Sequence, residues 1–230
     1  ICTVSSDPLG LLRGVPLFKD ANDQALTGLA PQLRRRAYRK GTVVFHKDQT
    51  GDALYIVGSG RVRIFLPAEG GEELTVDLLG PGDVFGEMAL LDGRPRSASV
   101  DTLEDTVVYT LGRDEFQRYL TATPQLASAL IELLSARLRH LIEYTETLAF
   151  LDVHARIAKI LLDLANRYGT KGDGIEIDMD LTQAELARMV GATRERVNRA
   201  LASFRAQAVL ELRGKKIAIL DADRLSQRIY

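Results

Sequence analysis

Residues 85–91 read FGEMALL, and residues 96–100 read RSASV. The glycine-rich turn places the carboxylate of Glu87 beside backbone N–H groups, and Arg96 and Ser97 follow ten residues after Gly86 and Glu87. Backbone N–H groups and a forked guanidinium suit phosphate oxygens, whereas a carboxylate accepts a hydrogen bond from a sugar hydroxyl. The stretch therefore predicts a site that holds a sugar hydroxyl and a phosphate together. The alternative is a β-roll turn in which Glu87 and Arg96 only fix a loop.

The sequence around this stretch is typical of short strands joined by tight turns. Ten of the 19 glycines fall between Gly41 and Gly93, where they bound short apolar runs. Such regular spacing predicts an all-β roll or barrel. The predicted strands lie at residues 42–45, 53–57, 62–66, 74–79 and, as the last, 107–111, with helices near residues 22–33 and 113–120.

A long helix is predicted after Pro124. Apolar positions recur at spacings of four, three, four and three residues, which places one stripe on a helix over residues 125–150. The stripe consists of Leu134, Leu138, Leu141, Thr145 and Leu148. Such a helix is roughly 39 Å long, more than covering one small roll requires. It is either a coiled coil between two subunits or a helix packed on its own domain, and Arg137 lies on or near the seam.

The C-terminal third shows helix start signals in sequence. Asp152 is a predicted N-cap of a helix over residues 153–167, and Thr182 with Glu185 has the form of a capping box. Gly191 provides a tight turn before a second helix that starts at Thr193. A polar loop is predicted at residues 168–174, a strand at 175–179, and a hairpin at residues 210–219. Two short helices around a glycine turn, followed by a hairpin, predict a winged helix-turn-helix.

The second of these helices has two unlike faces. One is apolar, and the other carries Arg194, Glu195, Asn198 and Arg199. The whole chain has a net charge of −1, but residues 188–216 contain eight basic and two acidic residues. Arginine pairs with guanine O6 and N7, and glutamate accepts from cytosine N4. This helix is therefore predicted to read DNA in the major groove; the alternative is a solvated charged surface.

The stretch at residues 85–100 resembles the phosphate-binding cassette of the Crp/Fnr transcription regulators, and the hinge at residues 148–153 (LAFLDV) resembles that of its cyclic-AMP-responsive branch. The resemblance implies an α+β fold class with an N-terminal double-stranded β-roll, a long dimerisation helix and a C-terminal winged helix-turn-helix. It implies an effector-binding domain at residues 1–124, a dimerisation helix and hinge at 125–151, and a DNA-binding domain at 152–230. The implied partners are double-stranded DNA, a second copy of the chain and RNA polymerase.

The same resemblance assigns roles to individual residues. Gly86, Glu87 and Met88 would line a ribose-phosphate pocket, with Glu87 on the ribose 2′-OH. Arg96 would pair with a cyclic phosphate to which Ser97 donates, and we expect Glu87 and Arg96 to form an ion pair in the empty site.

On the DNA side, the resemblance implies half-sites like TGTGA in an inverted repeat. The spacing Arg-Glu-x-x-x-Arg of Arg194, Glu195 and Arg199 matches the family's recognition helix. Both arginines would read guanine and Glu195 a cytosine. The phosphate contacts would come from Thr193, Gln183 and Lys215.

The chain departs from the family pattern at the base of the effector. Leu141 and Ile142 stand eleven and ten residues before Asp152, where the resemblance implies residues that hydrogen-bond adenine. Neither side chain can do so, which leaves the base undetermined. Cyclic AMP is the first choice of effector. A different nucleotide, another effector, or a regulator without effector remain alternatives.

Other functional classes fit less well. Cys2 is the only cysteine, so the sequence holds no internal disulfide and no cysteine-ligated iron–sulfur cluster, and His46, His140 and His154 are scattered. Phosphodiesterase or cyclase chemistry needs clustered metal ligands, so we expect no enzyme. Kinase-regulatory or channel-gating modules share the cassette but lack a winged helix. No apolar run reaches the length of a membrane span, which predicts a soluble, cytoplasmic protein. The single cysteine and the scattered histidines predict no metal or other resident cofactor.

Overall fold

The computed structural model describes residues 7–229, so Cys2 lies outside the described residues. The chain divides into two compact units. The first contains the residues up to 71 together with 76–139, and the second contains residues 72–75 together with 140 onward. Within residues 7–229, no helix is long and apolar enough to cross a membrane.

The first unit is built on a β-roll. Two four-stranded sheets run in the orders β1-β8-β3-β6 and β2-β7-β4-β5, which confirms the expected roll. The strands are β1 Arg34–Tyr38, β2 Val43–Phe45, β3 Ala53–Ser59, β4 Val62–Pro67, β5 Glu73–Leu79, β6 Val84–Phe85, β7 Ser99–Thr102 and β8 Thr106–Gly112.

Helices pack on one face of the first of these sheets. They are α1 Pro8–Gly14, α2 Asp23–Leu29, α3 Met88–Asp92, α4 Arg113–Ala122 and α5 Pro124–Phe150, with 3-10 turns at Pro16–Phe18 and Ala30–Gln32. The first two turns of α5 contribute Leu126 and Leu130 to the apolar core of this unit.

Strand β3 shows why the roll has two cores. Successive side chains of a strand point to opposite faces. Leu54 and Ile56 therefore face the core shared with the helices, while Tyr55 and Val57 face the core that also contains Phe85. A strand buried on both faces is continuously apolar, as this one is.

The second unit contains α6 Val153–Tyr168, α7 Gln183–Val190, α8 Arg194–Ala206 and α9 Ala222–Ser226. Its sheet has the order β11-β12-β10-β9. These strands are β9 Gly169–Gly172, β10 Gly174–Ile177, β11 Leu210–Arg213 and β12 Lys216–Ile219.

Two local predictions in this unit were wrong. Most of the expected polar loop at 168–174 is strand β9, which pairs antiparallel with β10 through Lys171 and Ile175, and the following strand ends at Ile177 rather than residue 179. All four residues of β9 are exposed, so this edge strand shows no alternation of apolar and polar residues. The positive φ of Gly174, 98°, allows the tight reversal between the two strands.

Candidate effector site and nucleic-acid interface

The turn between β6 and α3 requires a glycine. Gly86 has a φ of 80°, and a Cβ built there would lie 2.6 Å from Nη1 of Arg96. The bare backbone thus lets the guanidinium approach, and Nη1 donates to the Gly86 carbonyl at 2.6 Å. Sequence positions ten residues apart are joined by this contact.

Arg96 is a buried cation that forms no ion pair with a carboxylate of the described residues, although Asp52 and Glu87 act on it from farther away. Its residue is 4% exposed, Nη2 donates to the Ala53 carbonyl at 2.8 Å, and the guanidinium carbon lies 4.3 Å from the ring centre of Phe45 and 5.5 Å from that of Tyr55. Nε is buried and has no hydrogen-bond partner. Burial lowers the pKa of Arg96 from its ordinary value. An anion would therefore gain both a charge and a free donor here.

Glu87 is paired with the long helix instead. The residue is 1% exposed, and Oε1 accepts from Nη1 of Arg137 at 2.5 Å. The other terminal nitrogen of Arg137 donates to the Val84 carbonyl. The expected ion pair between Glu87 and Arg96 is therefore wrong, because Arg137 takes the carboxylate and backbone carbonyls take Arg96. Arg137 interrupts the apolar stripe of α5 because its side chain turns toward the roll.

Met88 and Ser97 lie at the outer side of the same turn. Met88 begins α3 and is exposed, and the Ser97 hydroxyl lies 3.7 Å from its sulfur. The first unit thus brings together the five residues of the predicted phosphate site, which are Gly86, Glu87, Met88, Arg96 and Ser97. Leu141 and Ile142 belong to the second unit, where both side chains are exposed on α5.

The helix-turn-helix forms from the start and stop signals in the sequence. The Glu185 amide donates to Oγ1 of Thr182 at 3.2 Å, and the Thr182 amide donates to Glu185 Oε2 at 2.6 Å, so the capping box is complete. Gly191 ends α7 with a φ of 61°, and the Thr193 side chain caps α8. The inner faces of both helices are buried.

The outer face of α8 is exposed and polar. Arg194, Glu195, Asn198 and Arg199 are all exposed. Hydrogen bonds from its own backbone N–H and from Thr193, aided by nearby arginines, lower the pKa of Glu195, so it stays an ionised acceptor at neutral pH. Gln183 Nε2 donates to Asn198 Oδ1 at 3.1 Å, which holds the Asn198 amide.

The wing carries cations that are partly paired. Gly214, with a φ of 66°, turns β11 into β12 and exposes the neighbouring Lys215, whose Nζ lies 3.9 Å from Asp180 Oδ2. Lys216 lies 2.7 Å from Asp178, and Arg213 lies 3.5 Å from Glu176. Lys215 is thus the most loosely paired of these three cations.

Comparison with known proteins places both units in one family. The cyclic nucleotide-binding domain model matches residues 35–123, and the Crp-like helix-turn-helix domain model matches residues 155–228. A CRP-like cAMP-activated global transcriptional regulator of Mycobacterium tuberculosis is 36% identical, over 95% of this chain and 98% of that protein. The chain belongs to the Crp/Fnr family. It is a DNA-binding transcription regulator of the CRP branch with a cyclic nucleotide-binding domain.

Other Crp/Fnr members are similar over most of their length. The cyclic AMP receptor protein of Thermus thermophilus is 34% identical, over 94% of this chain and 97% of that protein. The solved structure of the c-di-GMP responsive global regulator CLP of Xanthomonas campestris has a TM-score of 0.77 at 28% identity, covering 86% of this chain and 99% of that chain. Relatives with one fold thus carry names that refer to different nucleotides.

Proposed function

We propose that this Crp/Fnr regulator is a homodimer that binds TGTGA-like inverted repeats under the control of a cyclic nucleotide. The observation that carries the proposal is Arg96, a buried guanidinium whose Nε is unpartnered and whose terminal nitrogens donate to backbone carbonyls. A charge buried without a counterion costs free energy, which an anionic ligand would offset.

The ligand contacts follow from the chemistry of the turn. Arg96 would hold the cyclic phosphate with a donor hydrogen bond from Ser97, and Gly86 and Met88 would line the pocket. Glu87, fixed by Arg137 at 2.5 Å, has remaining acceptor capacity for a ribose 2′-OH. Both ends of a ribose phosphate are thereby matched by groups that the fold already holds in place.

The base has weaker support than the phosphate. By the family resemblance, Leu141 and Ile142 would face the base, and these side chains offer contact area but no hydrogen bond. Cyclic AMP is the first choice because several relatives, among them those of Mycobacterium tuberculosis and Thermus thermophilus, are named for it. The relative named for c-di-GMP keeps open the alternative of a different effector, or of a regulator whose pocket has lost its ligand.

On DNA, each α8 would enter the major groove of one half-site. Arg194 and Arg199 would read guanines and Glu195 a cytosine, with Asn198 on the same face. The phosphate contacts would come from Thr193, Gln183 and Lys215, which would fix the register without reading sequence.

The dimer would form along α5, with residues 1–124 as the effector domain and 152–230 as the DNA-binding domain. RNA polymerase in the cytoplasm would be the further partner.

Calorimetry with cyclic AMP and cyclic GMP tests the effector assignment. The purified full chain should bind cyclic AMP, and, because Leu141 and Ile142 cannot hydrogen-bond a purine edge, cyclic GMP should compete within about one order of magnitude. If neither nucleotide gave a heat of binding, another effector or no effector would be favoured. Binding of a TGTGA palindrome, measured in parallel, tests the DNA assignment independently.

A further inference from the structure

The turn of the helix-turn-helix is held by side chains from outside the motif. A helix leaves its last carbonyl groups without helical partners. In α7, the Gly191 amide donates to the Ala187 carbonyl, and Ala192 does so at 3.1 Å. The carbonyls of Met189 and Val190 still need donors, and both residues are buried.

The first donor comes from the long helix α5. The Tyr144 hydroxyl donates to the Met189 carbonyl at 3.0 Å, across 45 positions of the chain. Tyr144 lies in the stretch of α5 that belongs to the second unit, so this contact is internal to that unit. Burial raises the pKa of Tyr144 to about 12, which keeps the hydroxyl protonated and able to donate at neutral pH.

The second donor lies on α6. Arg156 Nη1 donates to the Val190 carbonyl at 3.1 Å, while its Nη2 and Nε donate at 2.9 Å to the carbonyls of Leu148 and Leu151. One guanidinium therefore joins the C-terminal end of α5 and the residue that follows it to the last carbonyl of α7. The Arg156 guanidinium thus spans the hinge at Asp152, next to the carbonyl that Tyr144 bonds.

These hydrogen bonds connect the C-terminal end of α5 directly to the turn, in addition to the covalent connection through Asp152 and α6. We propose that Tyr144 is a positioning residue for DNA binding. Its hydroxyl fixes the turn of the helix-turn-helix on α5, so that a change in the position of α5 also changes the position of helix α8. The inference rests on the proposed function, in which a ligand acts on α5. A phenylalanine would keep the ring packing and remove only the donor.

The experiment compares Tyr144→Phe with the wild type and with Ser226→Ala. Ser226→Ala also removes one hydroxyl group from the second unit. That hydroxyl donates to the Asp223 carbonyl at 2.8 Å, within α9, so the variant is a matched control. We measure the affinity for a TGTGA palindrome with and without cyclic AMP, the affinity for a scrambled duplex, and amide hydrogen exchange of the turn.

In Tyr144→Phe, the amides of Gly191 and Ala192 should exchange faster, and the ratio of DNA affinities with and without cyclic AMP should shrink about two- to tenfold toward one, as loss of one hydrogen bond allows. Ser226→Ala should change neither. Equal weakening of DNA binding with and without cyclic AMP would indicate a purely structural role and overturn the proposal, as would unchanged exchange at the turn.

Failure of the proposed function would look different. A wild-type protein that binds the palindrome equally with and without cyclic AMP would remove the cyclic AMP assignment. The role of Tyr144 would then be decided by the exchange rates and by the palindrome-to-scrambled affinity ratio, which needs no nucleotide. That ratio should fall in Tyr144→Phe, and an unchanged ratio would overturn the proposal.

Discussion

At the scale of single residues, the two charges of the effector turn have opposite surroundings. Glu87 is buried and neutralised by Arg137, whereas Arg96 is buried among carbonyls and aromatic rings with one nitrogen unpartnered. This electrostatic asymmetry supports the proposal that the turn binds an anion rather than a cation. It also makes Arg137 part of the site, although its side chain comes from α5.

Replacement of Arg137 by methionine should destabilise the protein and weaken nucleotide binding. Glu87 would remain as an uncompensated buried carboxylate, a loss of about 3 kcal/mol in the free energy of unfolding. Denaturant unfolding and calorimetry with cyclic AMP measure both effects.

The double variant Arg137→Met/Glu87→Gln is the matched control. With both charges removed, stability should return to near the wild-type value, while nucleotide affinity should stay low because a neutral amide oxygen is a weaker acceptor for the ribose 2′-OH than a carboxylate. A double variant as unstable as Arg137→Met alone would contradict the pairing.

At the scale of elements, local signals predicted most boundaries. The capping box at Thr182, the N-cap at Asp152 and the glycine at 191 act through neighbouring backbone groups, so they are visible in sequence. Strand β9 was missed because an exposed edge strand has no required pattern. The contact between Glu87 and Arg137 was missed because it joins positions 50 residues apart, with only a charge in an apolar stripe as a signal.

Under the proposed function, DNA sequence preference depends on helix α8. Arg199→Ala should cost about 1–3 kcal/mol of DNA binding and relax the preference at one base position. Affinities for a set of palindromes substituted at single positions measure this. Arg205→Ala, in the last turn of the same helix, is the control and should change affinity without changing the preference. Uniform weakening across all sites by Arg199→Ala would assign that residue to phosphate instead.

At the scale of the whole molecule, the apolar stripe of α5 is partly exposed, and the proposed function covers it with a second copy of the chain. Leu138 is 60% exposed and Leu141 is 41% exposed, although both lie on the predicted seam. A second copy of the chain would cover them, and two α8 helices would then reach adjacent half-sites about one duplex turn apart.

The variant Leu138→Glu should weaken dimerisation at least tenfold, because it places a charge in the proposed apolar seam. Analytical ultracentrifugation measures this, and palindrome binding should fall with it. Ala136→Glu adds the same charge to an exposed position on another face of α5 and should leave the dimer intact. Equal association of both variants would place the dimer contact elsewhere.

Capture of the effector phosphate by Arg96 is tested by the affinity of the full chain for a TGTGA palindrome, measured with and without cyclic AMP in the wild type and in Arg96→Met. The wild type should bind more tightly with the nucleotide, and Arg96→Met should lose that gain because the phosphate has lost its cation. If cyclic AMP tightened DNA binding equally in both proteins, the claim that Arg96 captures the effector phosphate would be contradicted.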